Sequence, residues 1–170
     1  VISRFVDAYR NARTPNPCID CNRYIKFAEL VKKATELGYD YVVTGHYAIN
    51  EYDEKSGRYL LKKAADETKD QSYVLYSLTQ EQLSHILFPL GSMSKDEARK
   101  VAEEQGFINF DKPDSQDICF VANGKYTDFI RQYTGKAYPE GDFIDCDGKV
   151  LGTHKGIIHY TIGQRKGLNI

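Results

Sequence analysis

The clearest candidates for chemistry are two of the four cysteines, which stand close together in the sequence. Cys18 and Cys21 have the C-x-x-C spacing that suits a zinc site, an iron–sulfur site or a redox pair. A closed zinc site needs four ligands, and no second C-x-x-C follows, so Cys119 or Cys146 and a histidine would have to complete it. A thioredoxin-like pair should follow a strand at the start of a helix, and the upstream prolines do not suit that context. The spacing alone leaves metal binding, redox chemistry and two incidental cysteines open.

The surroundings of the cysteines favour Cys21 as a reactive thiol. Arg23 and Lys26 stand nearby, and cations stabilise the thiolate, which is the reactive form of cysteine. Cys119 follows a polar turn and is either reactive or a buried small apolar residue. Cys146 stands between two aspartates, whose negative charges disfavour a thiolate, so it is the poorest nucleophile of the four.

Composition describes an ordinary globular chain. The 170 residues are enough for one medium domain or two small ones with a core. Hydrophobic residues make up 41% and charged residues 28%, which is ordinary for a globular protein. No apolar run approaches the roughly 20 residues that span a bilayer, and no signal peptide is visible, so we expect a cytoplasmic protein without membrane contact. The net charge of −1 does not indicate a nucleic-acid binder, although residues 10–26 and 149–166 carry basic patches that suit either phosphate contacts or a solvated surface.

Periodicity predicts an α/β fold. Apolar residues at helical spacing predict a helix near the start and a second helix over residues 26–37, which Gly38 ends. Residues 40–44 then form a short β-branched run of the buried parallel-strand type. Gly45 and His46 follow this strand at its carboxyl end, where open α/β sheets bind their ligands.

Shorter elements are predicted in the rest of the chain. Ser94 and Glu97 form a capping box that opens a helix reaching Glu104. A change of domain is expected near residues 106–115. The remaining predictions are short helices over residues 71–77 and 80–87 and strands over residues 58–63, 142–145 and 150–152.

Six segments identify a resemblance to a known family. Residues 14–27 closely resemble the signature T-P-N-P-x-x-x-C-N-x-x-I-K-F of the tRNA 2-thiouridylases. Five further matches follow in the family's order, at residues 44–47, 69–73, 87–91, 112–120 and 152–168. The resemblance therefore covers nearly the whole chain, whereas a lone C-x-x-C would indicate little.

The resemblance implies part of an adenine-nucleotide alpha-hydrolase-like (PP-loop) parallel-sheet domain, followed by a smaller mixed α+β central domain. We expect the first over residues 1–110 and the second over residues 111–170. The family's S-G-G-x-D-S nucleotide-binding loop is not in the sequence, nor is its C-terminal barrel. We therefore expect an internal fragment that holds part of an ATP site and is inactive alone.

The same resemblance implies roles for individual residues. It makes Cys21 the nucleophile and Cys119 the carrier of a persulfide, and it makes Gly45 a contact of ATP. The residues that it places against tRNA are Asn16, Pro17, Cys18, His46, Lys69, Asp70 and Gln71. No residue is assigned to a metal.

The implied activity is ATP-dependent 2-thiolation of the wobble uridine of tRNA, with Mg²⁺ accompanying ATP. A donor protein would supply the persulfide sulfur, and each cycle would leave a Cys21–Cys119 disulfide. Two alternatives use Cys18 and Cys21 differently: a zinc module that binds RNA, and an iron–sulfur thiolation enzyme. Some members of the family carry the label methyltransferase, but no glycine-rich methyl-donor loop supports that activity here.

Overall fold

The computed structural model describes residues 1–112, 118–121 and 124–170. The chain forms two compact units. We call Cys18–Asp114 the central unit, and Val1–Pro17 together with Ser115–Ile170 the split unit. Each is described by itself.

Short helices and strands alternate along the chain. The helices are α1 (Ile2–Arg10), α2 (Pro17–Cys21), α3 (Leu30–Glu36), α4 (Gln80–Ser84), α5 (Lys95–Glu104) and α6 (Tyr126–Thr134). A π-helix, Asn22–Glu29, joins α2 to α3, and 3-10 turns cover Ser72–Val74 and Ile157–His159. The strands are β1 (Val42–Val43), β2 (Ile49–Asp53), β3 (Arg58–Lys62), β4 (Ile86–Leu87), β5 (Gly141–Ile144) and β6 (Val150–His154).

The central unit has one apolar core beneath a parallel strand pair and an antiparallel hairpin. β1 pairs in parallel with β4, and β2 pairs antiparallel with β3. The parallel pair, with helices before each strand, agrees with the predicted α/β class. The core consists of Phe27, Val31, Val42, Ala48, Val74, Leu75, Ile86 and Phe88.

Several predicted elements are confirmed and others need correction. β1, β3, β5, β6 and α5 lie where the sequence predicts them, and both capping-box hydrogen bonds of Ser94 and Glu97 are present. The single helix predicted over residues 80–87 is wrong, because α4 ends at Ser84 and the last two residues form β4. Ile86 is 1% exposed and pairs with Val42, so burial in the sheet outweighs the helical pattern.

Gly91 follows β4 and packs closely against Ala48, the residue before β2. A Cβ built on Gly91 would lie 1.9 Å from the backbone carbonyl oxygen of Ala48, which is itself fully buried. The clash is with backbone atoms that cannot rotate away, so only glycine allows the two chain segments to approach this closely. Packing therefore explains why the segment 87–91, which resembles the family, ends in glycine.

The split unit has a core of its own. Phe5, Val6 and Tyr9 of α1 pack against Val121, Ile130 and Ile158. β5 and β6 form an antiparallel pair in the same unit. Helix α1 is therefore in the same compact unit as residues after position 110, because Val121, Ile130 and Ile158 cover its buried face. The expected domain change near residues 106–115 and the segment 112–120 lie partly outside the described residues.

None of the helices that the structure describes is long and apolar enough to cross a membrane.

Candidate active site

Cys21 is the last residue of α2, and its side chain is half-buried. The next residue, Asn22, is 3% exposed, and its side-chain Nδ2 donates a hydrogen bond of 3.3 Å to the carbonyl oxygen of Val74. Asn22 Oδ1 is also buried and has no hydrogen-bond partner among the described residues. The backbone beside the Cys21 thiol is therefore held against the 3-10 turn Ser72–Val74, which follows one of the predicted tRNA-contacting segments.

The helix that follows Cys21 has π geometry over Asn22–Glu29. π-helical turns are rare and are often found at functional sites. Gln82 fixes this turn from outside, since its Nε2 donates to the carbonyl oxygen of Phe27 at 3.0 Å. The other end of the same side chain accepts from the Thr79 amide in the capping box of α4. Position 82 was not predicted from the sequence as part of the site.

Gly45 and His46 follow β1, as predicted. Gly45 is exposed, and a Cβ built on it would meet only Leu90 Cδ1, at the ordinary contact distance of 3.7 Å. The fold itself therefore leaves room for a side chain at position 45. A requirement for glycine there would come from a bound molecule rather than from packing.

His46 is a buried, uncharged residue at neutral pH. It is 8% exposed, and its Nδ1 forms a hydrogen bond of 2.8 Å with Thr44 Oγ1. Its ring lies 5.7 Å from the Phe27 ring and 6.0 Å from the Phe88 ring. Burial, followed by the positive charge of Lys26, lowers the pKa of His46 to about 4. The residue thus connects the end of β1 to the π-helix.

The segment Lys69, Asp70, Gln71 lies against the residues after β1. The Gln71 amide donates to the Tyr47 carbonyl at 2.8 Å, and the Tyr47 amide donates to Gln71 Oε1 at 3.0 Å. The Asp70 carboxylate accepts hydrogen bonds from the Ala64 amide at 2.9 Å and from the Ser72 hydroxyl at 2.7 Å. Desolvation opposes ionisation of Asp70, but these hydrogen bonds outweigh it and lower the pKa of the carboxyl group. Both side chains therefore shape the loop.

The structure brings three distant segments of the sequence together. Asn22 contacts Val74, Gln71 contacts Tyr47, and the His46 ring contacts Phe27. These links connect the C-x-x-C segment, the end of β1 and the residues after Lys69 within the central unit. Sequence reasoning assigned Cys21, His46 and Gln71 but missed Asn22 as a buried anchor, although its place beside Cys21 in the signature was a signal.

The four cysteines differ in exposure. Cys18, Cys119 and Cys146 are exposed and Cys21 is half-buried, and the structure shows all of them without a disulfide. Exposure of Cys119 contradicts the alternative in which it is a buried apolar residue. Within the described ranges, no three histidine, cysteine, aspartate or glutamate side chains are grouped as a metal site would require. Of the two residues before Cys18, Asn16 is exposed, and Pro17 is buried as the first residue of α2.

Two known domain families match nearly the whole chain. Residues 1–123 match the family model described as tRNA methyl transferase HUP domain, and residues 127–170 match the model described as tRNA methyl transferase PRC-barrel domain. The chain is 61% identical to the tRNA-specific 2-thiouridylase MnmA 1 of Thermoanaerobacter pseudethanolicus and 54% identical to the tRNA-specific 2-thiouridylase MnmA of Clostridioides difficile. Both matches cover 100% of this chain and 47% of the relative, so the chain spans about half the length of these curated relatives. With both domain models matched in order, the chain belongs to the tRNA-specific 2-thiouridylase family, as an α/β HUP domain followed by a small PRC-barrel-like domain.

Proposed function

We propose that this chain carries the sulfur-transfer residues of an ATP-dependent tRNA-uridine 2-sulfurtransferase. The observation that supports this most is the convergence of three segments on Cys21 and its neighbours: residues 21–27, 45–47 and 70–74 are joined by hydrogen bonds and ring contacts. A reactive thiol, an exposed backbone at the end of a parallel strand and an RNA-facing segment are the parts that such a reaction needs.

The chemistry begins with the C2 oxygen of the wobble uridine, which is a poor leaving group. ATP, accompanied by Mg²⁺, transfers its adenylyl group to this oxygen and releases pyrophosphate. Gly45 suits a contact with the nucleotide, because it is exposed at the carboxyl end of β1 and its own fold does not require a glycine. The target uridine has to leave the anticodon stack to reach these groups.

Sulfur then passes through two cysteines. The terminal sulfur of a Cys119 persulfide, loaded by a donor protein, attacks C2 and expels AMP, so that the base becomes joined to Cys119 through a disulfide-type bond. The Cys21 thiolate attacks Cys119 Sγ, the base leaves with its sulfur as 2-thiouridine, and a Cys21–Cys119 disulfide remains. A cellular thiol reductant supplies the two electrons that restore both thiols. Exposure of Cys119 makes it accessible to a donor protein.

The contacts with tRNA divide into direct and indirect roles. Lys69 carries the charge that suits a phosphate, whereas Asp70 and Gln71 use their side chains to shape the same loop. Asn16 and Cys18 are exposed, which suits contact with the target base, and Pro17 starts the helix that ends at Cys21. His46 is largely buried, so its part in tRNA binding is to support Phe27 and the π-helix.

The test is a full-length chimera in which this chain replaces the matching 170 residues of the Thermoanaerobacter pseudethanolicus relative. We expect Cys21→Ser and Cys119→Ser each to abolish 2-thiouridine formation, measured by mass spectrometry of digested tRNA, while tRNA binding stays within a few-fold. Cys146→Ser is the matched control and should retain activity. Normal thiolation by Cys119→Ser would exclude the two-cysteine mechanism. Stoichiometric zinc or iron that is lost in Cys18→Ser would favour a metal module instead.

A further inference from the structure

A cation two residues after Cys21 lies against two aromatic rings. The Arg23 guanidinium carbon lies 5.9 Å from the centre of the Tyr24 ring and 5.8 Å from the centre of the Tyr76 ring. Both distances are within the range of cation–π attraction. We call Arg23, Tyr24 and Tyr76 the Arg23 cluster.

The Arg23 cluster is exposed and is not part of the core. Tyr24 is 40% exposed and Tyr76 is 62% exposed, whereas their neighbours Asn22 and Leu75 are buried. The core positions of both segments are therefore already filled without the two tyrosines. Both tyrosines therefore leave aromatic surface exposed beside the arginine.

Arg23 supplies the positive charge of the cluster. Lys26 follows it in the π-helix, Asp20 precedes it, and residues 71–80 contain no charged side chain. Among the described residues Arg23 forms no ion pair with a carboxylate, and the partners that the structure gives it are the two rings. The cluster thus combines exposed aromatic rings with a cation, which suits a partner that offers aromatic faces and negative charge.

Unpaired RNA has this chemistry, because its bases stack on tyrosine rings and arginine guanidinium planes while its phosphates attract cations. An apolar protein partner would not need the cation, and a phosphate alone would not need the rings. We propose that the Arg23 cluster is a stacking platform for an unpaired anticodon-loop nucleotide beside the target uridine. The proposal rests on the proposed function for the identity of the RNA.

The platform is preorganised by the buried anchor beneath it. Asn22 adjoins Arg23 in the sequence, and its partner Val74 stands two residues before Tyr76. The Asn22–Val74 hydrogen bond therefore holds the two halves of the platform together, one residue away from Cys21. The platform is two residues from Cys21 along the chain, and ordering the arginine in advance lowers the entropic cost of binding.

The test measures RNA binding by the full-length chimera. The probe is an anticodon stem-loop RNA with 2-aminopurine beside the target uridine. Because stacking contributes substantially per base, Tyr76→Ala and Tyr76→Leu should each weaken binding about 5- to 100-fold, whereas Tyr76→Phe should bind like the unmodified protein. Tyr39→Ala is the matched control, because Tyr39 is 66% exposed in the same unit and is outside the cluster and the segments assigned to RNA. Binding to the unmodified protein should quench the fluorescence of 2-aminopurine. In the complex with Tyr76→Leu the fluorescence should stay at the level of the free RNA.

The outcomes separate this proposal from the proposed function. Cys21→Ser should keep both the affinity and the quenching, so loss of thiolation with intact stacking would leave the platform in place. Equal affinity and quenching for Tyr76→Leu, Tyr39→Ala and the unmodified protein would overturn the platform, even if the chimera thiolates tRNA. A slower loading of persulfide from the donor protein, with RNA affinity unchanged, would identify the cluster as a protein contact and would also overturn it.

Discussion

The side-chain amide of Asn22 donates across 3.3 Å to the backbone carbonyl of Val74, and both residues are buried. Asn22→Ala removes the donor and leaves this carbonyl without it, so we expect the free energy of unfolding to fall by about 1–3 kcal/mol. Denaturant unfolding of the chain measures the change. Asn11→Ala is a suitable control, since the Asn11 side chain bonds to the Asp7 carbonyl on the surface. Equal effects of the two variants would contradict the anchoring role of Asn22.

Gly91→Ala should destabilise the central unit strongly. The added methyl group would lie 1.9 Å from the Ala48 carbonyl oxygen, and overpacking against backbone costs about 1–3 kcal/mol, occasionally more. The midpoint of thermal unfolding would report the loss. If Gly91→Ala melts like the unmodified chain, the close approach of these two segments is not part of the folded state.

Gly45→Ala should leave stability nearly unchanged, because the new methyl group meets only Leu90 Cδ1 at 3.7 Å. In the full-length chimera, however, it should raise the ATP concentration needed for half-maximal thiolation by about tenfold or more, equivalent to ~1.4 kcal/mol of lost nucleotide binding. Steady-state rates at several ATP concentrations measure this. Unchanged ATP dependence would remove Gly45 from the nucleotide site.

The His46 ring should make the chain sensitive to mild acid. Its pKa falls from the ordinary value of 6.5 to about 4 in the folded protein, so below pH 6.5 the unfolded chain takes up a proton that the folded chain does not. Stability should therefore decline as pH falls from 6.5 to 4, by on the order of 3 kcal/mol for this group. Unfolding at a series of pH values should show this slope, and His46→Gln should flatten it. A slope that is the same in both proteins would show that other groups cause it.

Mild oxidation of the chimera with tRNA present should produce a disulfide between Cys21 and Cys119. The proposed reaction forms this bond once per cycle, so an oxidant should trap it without a persulfide. Peptide mass spectrometry of the digested protein identifies the linked pair, and Cys146→Ser should give the same product. Recovery of a Cys18–Cys21 link in its place would favour a C-x-x-C redox pair.

The parts of the fold with strong local signals were predictable from the sequence. The capping box at Ser94 fixes the start of α5 by neighbouring residues alone, and the β-branched run before Gly45 defines β1. Helix α4 and strand β4 were merged in the prediction, because a short apolar run such as Ile86 and Leu87 does not distinguish a helix from a strand. Only the parallel pairing with Val42 decides it.

The site was predictable as residue types but not as contacts. The resemblance implies roles for Cys21 and Cys119, and in the structure Cys21 is half-buried and Cys119 is exposed. The π-helix over Asn22–Glu29 has no signal in residue propensities, since its residues would suit an α-helix equally. The contact of Arg23 with Tyr76 depends on tertiary folding and could not be read from the chain.

Gln82 shares one amide group between two neighbouring structures. Its oxygen completes the cap of α4 and its nitrogen holds the Phe27 carbonyl of the π-helix. Glutamate in its place would keep the oxygen that accepts from the Thr79 amide and would lose the nitrogen that donates to the Phe27 carbonyl. This single substitution would therefore break the link between the start of α4 and the π-helix that follows Cys21. Surface engineering of α4 is therefore not independent of the thiol, even though Gln82 never touches it.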